Sequence, residues 1–309
     1  MEAMRILVMG TGALGGYFGG LLAHAGHEVT FVSRGARLEQ MRNQGLRVES
    51  AVNGSFQVTG SFTDTAASAG TVDLALFCVK SFDTESAAAS LLPCVGPNTE
   101  VLCLQNGIEN EELLAEVIGA GHVLAGAARI EATVDDGGTV RQIGPNHRID
   151  FGQWTPDGSP ARSESLLQAF RAAGIDAHLA IDMRLEIWRK FIFLCSVAGL
   201  TAATGRTIGE VATMPETREV LERAIDEIFR IARAEGIQLP HGTVPATMEF
   251  IGNLPFQMKS SLQRDLERGK RVEIDALSGA VVRRGRLRGI DTPVHLTLLA
   301  TVKARAAAT

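Results

Sequence analysis

The sequence predicts an α/β domain built on a parallel sheet, followed by an all-helical domain. In the first half, short β-branched apolar runs alternate with helical patterns, the signature of a parallel sheet covered on both faces. From about residue 182 the strand signals fade and long helical periods take over. A chain of 309 residues, 45% hydrophobic and 21% charged, is long enough for two cores and argues against disorder. The predicted division is residues 1–181 and 182–309.

RILVMG (5–10) predicts a buried strand, and ALGGYFGGLLAHAG the helix that follows it, closed at Gly26. EVTFVS (28–33), VDLALFCVK (72–80) and TEVLCLQN (99–106) repeat the strand pattern, each with a helical segment behind it. Within 122–152 the runs HVLAGAARIEATV, TVRQIG and RIDFGQW are separated by Asp-Asp-Gly-Gly and Gly-Pro-Asn, which predicts three antiparallel strands joined by turns. In the second half, residues 182–203, 216–236, 243–252 and 259–288 fit helices, with Pro215, Pro240, Pro245, Pro255 and Pro293 marking starts and breaks. The absence of a repeat or low-complexity linker predicts close packing of the two parts, with a cleft between them.

Gly10-Thr11-Gly12-Ala13-Leu14-Gly15 is a G-x-G-x-x-G directly after a strand and opening a helix, a motif weak alone but strengthened by that context. The first glycine permits a tight turn, the second admits a pyrophosphate to the backbone, and the third lets helix and strand pack closely. Unpaired N–H groups at the helix start then face an anion. This context makes the first domain a Rossmann dinucleotide-binding domain. Sites for NAD carry a carboxylate at the end of the second strand, for the ribose 2′-OH. Here that strand ends Phe31-Val32-Ser33-Arg34. Arg34 can pair with a 2′-phosphate, with Ser33 and Arg37 in support, so NADPH/NADP is the expected cofactor.

Composition excludes several other classes. A net charge of −5 supplies no basic field for nucleic acid. The seven histidines lack metal-ligand spacing, His24 and His27 flank a helix end, and no metal is expected. Cys78, Cys94, Cys103 and Cys195 sit in apolar contexts without a CxxC and read as buried thiols of a reducing compartment. The N-terminal apolar run mimics a signal peptide, but its glycines make a poor apolar helix. No continuous apolar segment reaches the ~18–20 residues of a spanning helix. A cytoplasmic protein without membrane contact is expected, and either a monomer or a homodimer would suit it.

Four further pieces of sequence extend the reading: FCVKSFDT around Lys80, LQNGIENEE around Asn106, WRKF around Lys190, and KSSLQRDLERGKRVEIDALSG. With GTGALGG and Arg34 they resemble the ketopantoate reductase family over roughly residues 4–303. The resemblance implies a Rossmann domain, an all-helical second domain, an active site in the cleft, and NADPH-dependent reduction of a 2-oxo acid to a 2-hydroxy acid. It also implies roles residue by residue. Lys190 matches the general acid, and Asn106 the asparagine contacting cofactor and substrate. Ser261 matches a substrate-binding serine, and Glu273 a glutamate reaching the cofactor ribose. Lys80 matches a lysine in the cofactor-side wall, and Ala132 falls where a backbone group touches the nicotinamide half.

Hydride transfer to a ketone builds negative charge on its oxygen, which calls for a nearby acid or cation. Lys190 stands inside EIWRKFIFLCSVAGLTA, whose apolar residues disfavour the charged form and predict a lowered pKa. Alone, Lys190 reads as a side chain snorkelling from a helix edge. Asn106-Gly107 is also a turn signal, Ser261 a helical serine, and Glu273 a partner for Lys270. Arg283, Arg284, Arg286 and Arg288 read as a solvated helix end complementing its dipole.

Departures from the family pattern concern the substrate wall. Where the family has asparagines four and eight residues after the lysine, this chain has Leu194 and Ala198, and Ile208 replaces a further one. Asp83 stands where glutamine is often found. Positions i, i+4 and i+8 share one helix face, so methyl groups replace amides beside the lysine. Ketopantoate reduction, the reaction of 2-dehydropantoate 2-reductase in pantothenate biosynthesis, remains the leading reading. A family member acting on a less polar 2-oxo acid or ketone is the first alternative. A non-catalytic NADPH-binding sensor is the second, and a 3-hydroxyacid or opine dehydrogenase the third.

Overall fold

The computed structural model describes residues 3–155 and 159–308. The chain falls into two compact units, residues 1–105 with 110–183, and residues 106–109 with 184–309. In the first unit ten strands form one sheet: β1 (Arg5–Met9), β2 (Glu28–Val32), β3 (Leu46–Ser50), β4 (Gly54–Val58), β5 (Ser61–Thr63), β6 (Leu74–Phe77), β7 (Glu100–Cys103), β8 (Val123–Val134), β9 (Val140–Gln153) and β10 (Asp176–Leu179). Their order is β4-β3-β9-β8-β7-β6-β1-β2-β5, with β10 also pairing β9. Helices α1 (Ala13–His24), α2 (Gly35–Gln44), α3 (Thr84–Leu91), α4 (Asn110–Ile118) and α5 (Pro160–Ala172) complete the unit.

The block β5-β2-β1-β6-β7-β8 is parallel throughout. Successive side chains of a strand point to opposite faces, and β1 fills two cores in this way. Ile6 and Val8 join a cluster with Phe18, Leu22 and Phe31, whereas Leu7 and Met9 join Ala75, Phe77 and Val101. Burial on both faces explains why these strands read as unbroken apolar runs rather than alternating ones. The predicted α/β fold with a Rossmann-type first domain and a helical second one is the fold observed.

Several predicted details are corrected. TVRQIG and RIDFGQW are not separate strands: both lie in β9, which pairs antiparallel with β8 and absorbs the Gly-Pro-Asn stretch through a register irregularity between Ile130 and Glu131. A bulge adds a residue without ending a strand. β3, β4, β5 and β10 were not expected, being short and largely polar.

The second unit is helical: α6 (Met183–Thr204), α7 (Ile208–Thr213), α8 (Pro215–Ala234), α9 (Thr243–Gly252), α10 (Ser261–Glu267), α11 (Ser278–Arg288) and α12 (Pro293–Ala307). The predicted helical stretch 259–288 is two helices, because Gly269 adopts φ +64 just past α10 and the link to Ser278 is irregular. α7, absent from the expectation, starts in a capping box: Thr207 Oγ1 accepts from Glu210 N–H, and Glu210 accepts from Thr207 N–H at 2.8 Å. Proline opens both α8 and α12.

α6 has the length and composition to cross a membrane, but 67% of its apolar window is buried inside the protein, as in a core helix. Its C-terminal carbonyls at Ala202 and Ala203 accept from Arg305 of α12 at 2.7 and 2.9 Å. The start of α12 is held from α8, where the Glu227 carboxylate accepts from the Val294 and His295 amides at 2.8 and 3.0 Å. His295 is fully buried beside it. Its Nε2 donates to the Ala224 carbonyl at 3.0 Å, which leaves Nδ1 to accept from Ser278 Oγ at 3.2 Å.

This arrangement accommodates a neutral ring, and burial pushes the His295 pKa from 6.5 down to about 4. An imidazole that charges more readily unfolded than folded contributes stability that is complete above pH 6.5. That contribution is lost as pH falls toward 4, by up to about 3 kcal/mol. Glu227, whose pKa burial raises, acts in the opposite sense. Urea unfolding between pH 7.5 and 4 should therefore show a steeper loss of stability for the wild type than for His295→Gln; parallel profiles would count against the neutral buried ring.

Candidate functional site

In the first unit β2 and β5 lie on one side of β1, and β6, β7 and β8 on the other, so the sheet has a switch point between β1 and β6. In open α/β sheets, ligands bind outside the carboxyl ends of strands at such a point. Gly10 ends β1 there with φ +97. A Cβ on it would fall 2.8 Å from Val79 N, so the turn is pressed against the segment leaving β6. A Cβ on Gly15 would lie 2.3 Å from Gly10 O and 2.9 Å from Val8 Cγ1, which fixes α1 close to β1. At Gly12 a Cβ would meet nothing within 4 Å.

Gly12 is also the N-cap of α1, without a side-chain cap bond, and no acidic residue stands in the first helical turn. The first N–H groups, from Ala13 and Leu14 onward, are therefore not satisfied by a capping side chain. An uncapped positive helix end beside open space fits a pyrophosphate. Thr11 is buried and tied to the end of β2, with its N–H and Oγ1 both donating to Val32 O, at 3.1 and 2.9 Å. The loop thus hangs between two strands rather than moving freely.

Arg34 follows β2 as the exposed N-cap of α2. Arg37 is half-buried and has structural work: Nε donates to Thr11 O at 3.3 Å, and Nη1 donates to the carbonyl of Gly138 in the β8–β9 turn. Burial lowers its pKa. Lys80 is exposed at the start of a 3₁₀ turn after β6, and Asp83 stands at the N-cap position of α3 without a side-chain cap bond. Ala132 lies half-buried on β8 opposite Gln142. Cys78, beneath the loop, has its thiol pushed up to about 12 by burial and is not a nucleophile there.

In the second unit Lys190 and Leu194 are half-buried and Ala198 is buried. Their spacing places them on one face of α6. Glu186, one turn earlier on the same face, is paired with Arg189 at 2.8 Å. Ile208, the other position where an amide was expected, is buried in α7. Ser261 is exposed at the first turn of α10; its neighbour Ser260 caps that helix and meets Thr201 Oγ1 of α6 at 2.8 Å. Glu273 is half-buried in the irregular link after α10, where its carbonyl accepts from Ala276 N–H at 3.1 Å. Asn106, half-buried, packs with this unit.

One sequence reading is overturned here. The run Arg283, Arg284, Arg286, Arg288 is not simply a solvated helix end. The Arg284 side chain is 12% exposed and pairs with the nearly buried Glu235 at 2.9 Å, and Arg283 pairs with Glu109 at 2.6 Å. These partners lie 49 and 174 residues away in sequence, so helical periodicity could not reveal them.

Comparison with known proteins places this geometry. The family described as Ketopantoate reductase PanE/ApbA matches residues 6–156, and its C-terminal family, Ketopantoate reductase PanE/ApbA C terminal, matches residues 182–306. The 2-dehydropantoate 2-reductase of Halobacterium salinarum is 34% identical over 97% of this chain and 98% of its own. The PanE/ApbA family ketopantoate reductase of Ralstonia eutropha JMP134 superposes with a TM-score of 0.90 at 34% identity, covering 99% of both chains. D-Mandelate dehydrogenase, solved with NADH and anilino(oxo)acetate, shares the fold at 22% identity, with a TM-score of 0.90 and 99% of both chains covered. The protein is an oxidoreductase of the α/β-plus-helical type. The chain belongs to the ketopantoate reductase family.

The two outer contacts of the glycine loop can be separated by experiment. Gly12→Ala, whose methyl meets no protein atom, should leave the melting temperature within about 2 °C but weaken nicotinamide dinucleotide binding about tenfold or more if the open space beside it takes the pyrophosphate. Gly15→Ala should lower the melting temperature as well, because its methyl strikes the Gly10 carbonyl. Fluorescence titration with NADH and with NADPH, together with thermal melts, checks both.

Proposed function

We propose that the protein reduces a 2-oxo acid to a 2-hydroxy acid with NADPH, Lys190 supplying the proton, and that ketopantoate is the leading single substrate. The observation that carries the reading is the Lys190 side chain, half-buried on α6 where the largely apolar run from Phe191 begins. Membership of the family supports it, as does the bare glycine loop followed by Arg34.

When bound, the coenzyme would supply the hydride. Every other duty falls to side chains of this chain. Gly10–Gly15 and the first turn of α1 would hold the pyrophosphate on backbone N–H groups. Arg34 would face the 2′-phosphate, Lys80 and the Ala132 backbone would line the coenzyme, and Glu273 would take a ribose hydroxyl. Asn106 would hold coenzyme and substrate through its amide, and Ser261 would hold the substrate through its hydroxyl. Lys190 Nζ would give a proton to the oxygen on which charge builds.

A second substrate reading has its own support. Leu194 and Ala198 put methyl groups on the Lys190 face, and an apolar wall cannot reward a substrate hydroxyl. On this reading the substrate is a 2-oxo acid less polar than ketopantoate.

Steady-state assays with ketopantoate, 2-oxoisovalerate and bulkier 2-oxo acids separate the two, ketopantoate being preferred on the first reading and outrun on the second. Lys190→Ala should lower kcat by ~10²–10⁴-fold; unchanged turnover would remove Lys190 from the chemistry, and no turnover by the wild type would favour a sensor. Arg34→Ala should weaken NADPH binding by about ten- to a hundredfold while leaving NADH nearly unaffected, as loss of a hydrogen bond to a charged group requires. Equal use of NADPH and NADH by the wild type would refute the coenzyme assignment.

A further inference from the structure

Asn106 follows the first unit's strand β7 in sequence, yet residues 106–109 pack with the helical unit. These four residues belong to no helix or strand. Gly107 holds φ +133, a backbone angle that only glycine adopts readily. Two adjacent arginines of α11 meet this segment. Arg284 Nη2 donates to the Ile108 carbonyl at 3.2 Å, and its Nε lies 3.6 Å from Glu109 Oε1. Arg284 Nη1 donates to Glu235 at the end of α8, at 2.9 Å. Arg283 Nη2 donates to the other Glu109 oxygen at 2.6 Å and to the Asp275 carbonyl at 3.0 Å, two residues from Glu273.

The exposures locate the function of this cluster. Glu235 is 4% exposed and Arg284 12%, so the pair is largely withdrawn from water, whereas Glu109 is 27% exposed. A guanidinium presents several N–H groups in a rigid plane and can hold a carbonyl and two carboxylates at once; an ammonium lacks that fork. With Glu235 bracing it from behind, the Arg284 plane is fixed, and the Ile108 carbonyl and Glu109 carboxylate are fixed by it. Asn106 is two residues from Ile108. We infer that Arg284 is a positioning residue for Asn106: braced by Glu235, it clamps residues 108–109 and so sets where the Asn106 amide points. The inference rests on the proposed reading of Asn106 as a contact for coenzyme and substrate. Arg283 supplies a second jaw on Glu109 and joins it to the link carrying Glu273.

The test is a double-mutant cycle on kcat/KM, with NADPH and either ketopantoate or 2-oxoisovalerate, whichever the wild type turns over. Arg284→Lys keeps the charge and removes the fork. It should lower kcat/KM about tenfold or more in the wild-type background, yet change it less than about twofold in the Asn106→Ala background, where no amide remains to be aimed. Glu109→Gln, at the more exposed end of the clamp, should act in the same direction, and it decides the matter if Arg284→Lys fails to fold. Losses that multiply fully with Asn106→Ala would overturn the clamp, since they would report general damage. So would unaffected activity in both clamp variants while Asn106→Ala is impaired. If Asn106→Ala itself is silent, the reading of Asn106 falls and the clamp falls with it. The two failures are thereby told apart.

Discussion

The closeness of α1 to β1 governs the architecture of the first unit. Cβ atoms on Gly15 and Gly19 would lie 2.3 Å from the Gly10 carbonyl and 2.4 Å from Val8 Cγ2, so the helix packs nearer the sheet than any side chain would permit. That approach brings the first turn of α1 to the carboxyl edge of the sheet, with its N–H groups facing outward. Thr11, bonded twice to Val32 O, then fixes the loop to the neighbouring strand. Through Arg37, the same loop is joined to the β8–β9 turn at Gly138. An uncapped helix start at the sheet edge is the geometric consequence of tight helix–sheet packing, rather than a feature added to it.

In the second unit α6 carries a comparable double duty. One side is built into the core: a Cβ on Gly199 would come within 3.0 Å of Leu298, and the His295–Ser278–Ala224 chain of bonds closes the packing behind it. Another side carries Lys190, Leu194 and Ala198. The apolar character of the helix is explained by its burial, and that burial makes a single ammonium on it chemically distinctive. A lysine in such surroundings keeps its long stem packed and its nitrogen near the boundary of the apolar surface.

Legibility in the sequence followed the range of the interactions. Strands β1, β2, β6 and β7 were readable because burial on both faces writes an apolar run into consecutive residues. The glycine loop was readable because all of its geometry lies within six consecutive positions. β3 to β5 were not, since their faces are partly exposed and they sit at the sheet's edges, β3 pairing with β9 far along the chain, β4 with β3 and β5 with β2. The Gly-Pro-Asn stretch looked like a turn because turn chemistry and bulge chemistry use the same residues. The arginines of α11 were misread for a different reason. On a helix of this length, four arginines near the C-terminus satisfy the dipole rule on their own, and only tertiary packing shows that Arg284 faces inward to Glu235.

A division of labour among the candidate residues follows from burial. Gly10, Gly15 and Thr11 cannot change without disturbing the backbone around them, so they hold the shape of the loop that the proposed reading assigns to the coenzyme. Arg34, Lys80 and Ser261 are exposed. On the proposed reading, Arg34 carries the choice of 2′-phosphate at such an exposed position. Leu194 stands between these extremes: half-buried, it contributes apolar surface to its helix and methyl groups to the face it shares with Lys190. Restoring an amide there would therefore test packing and recognition together, whereas an exchange at Arg34 tests recognition alone. On the proposed reading, coenzyme preference is accordingly the more separable property, and substrate preference the one more deeply coupled to the stability of the helical unit.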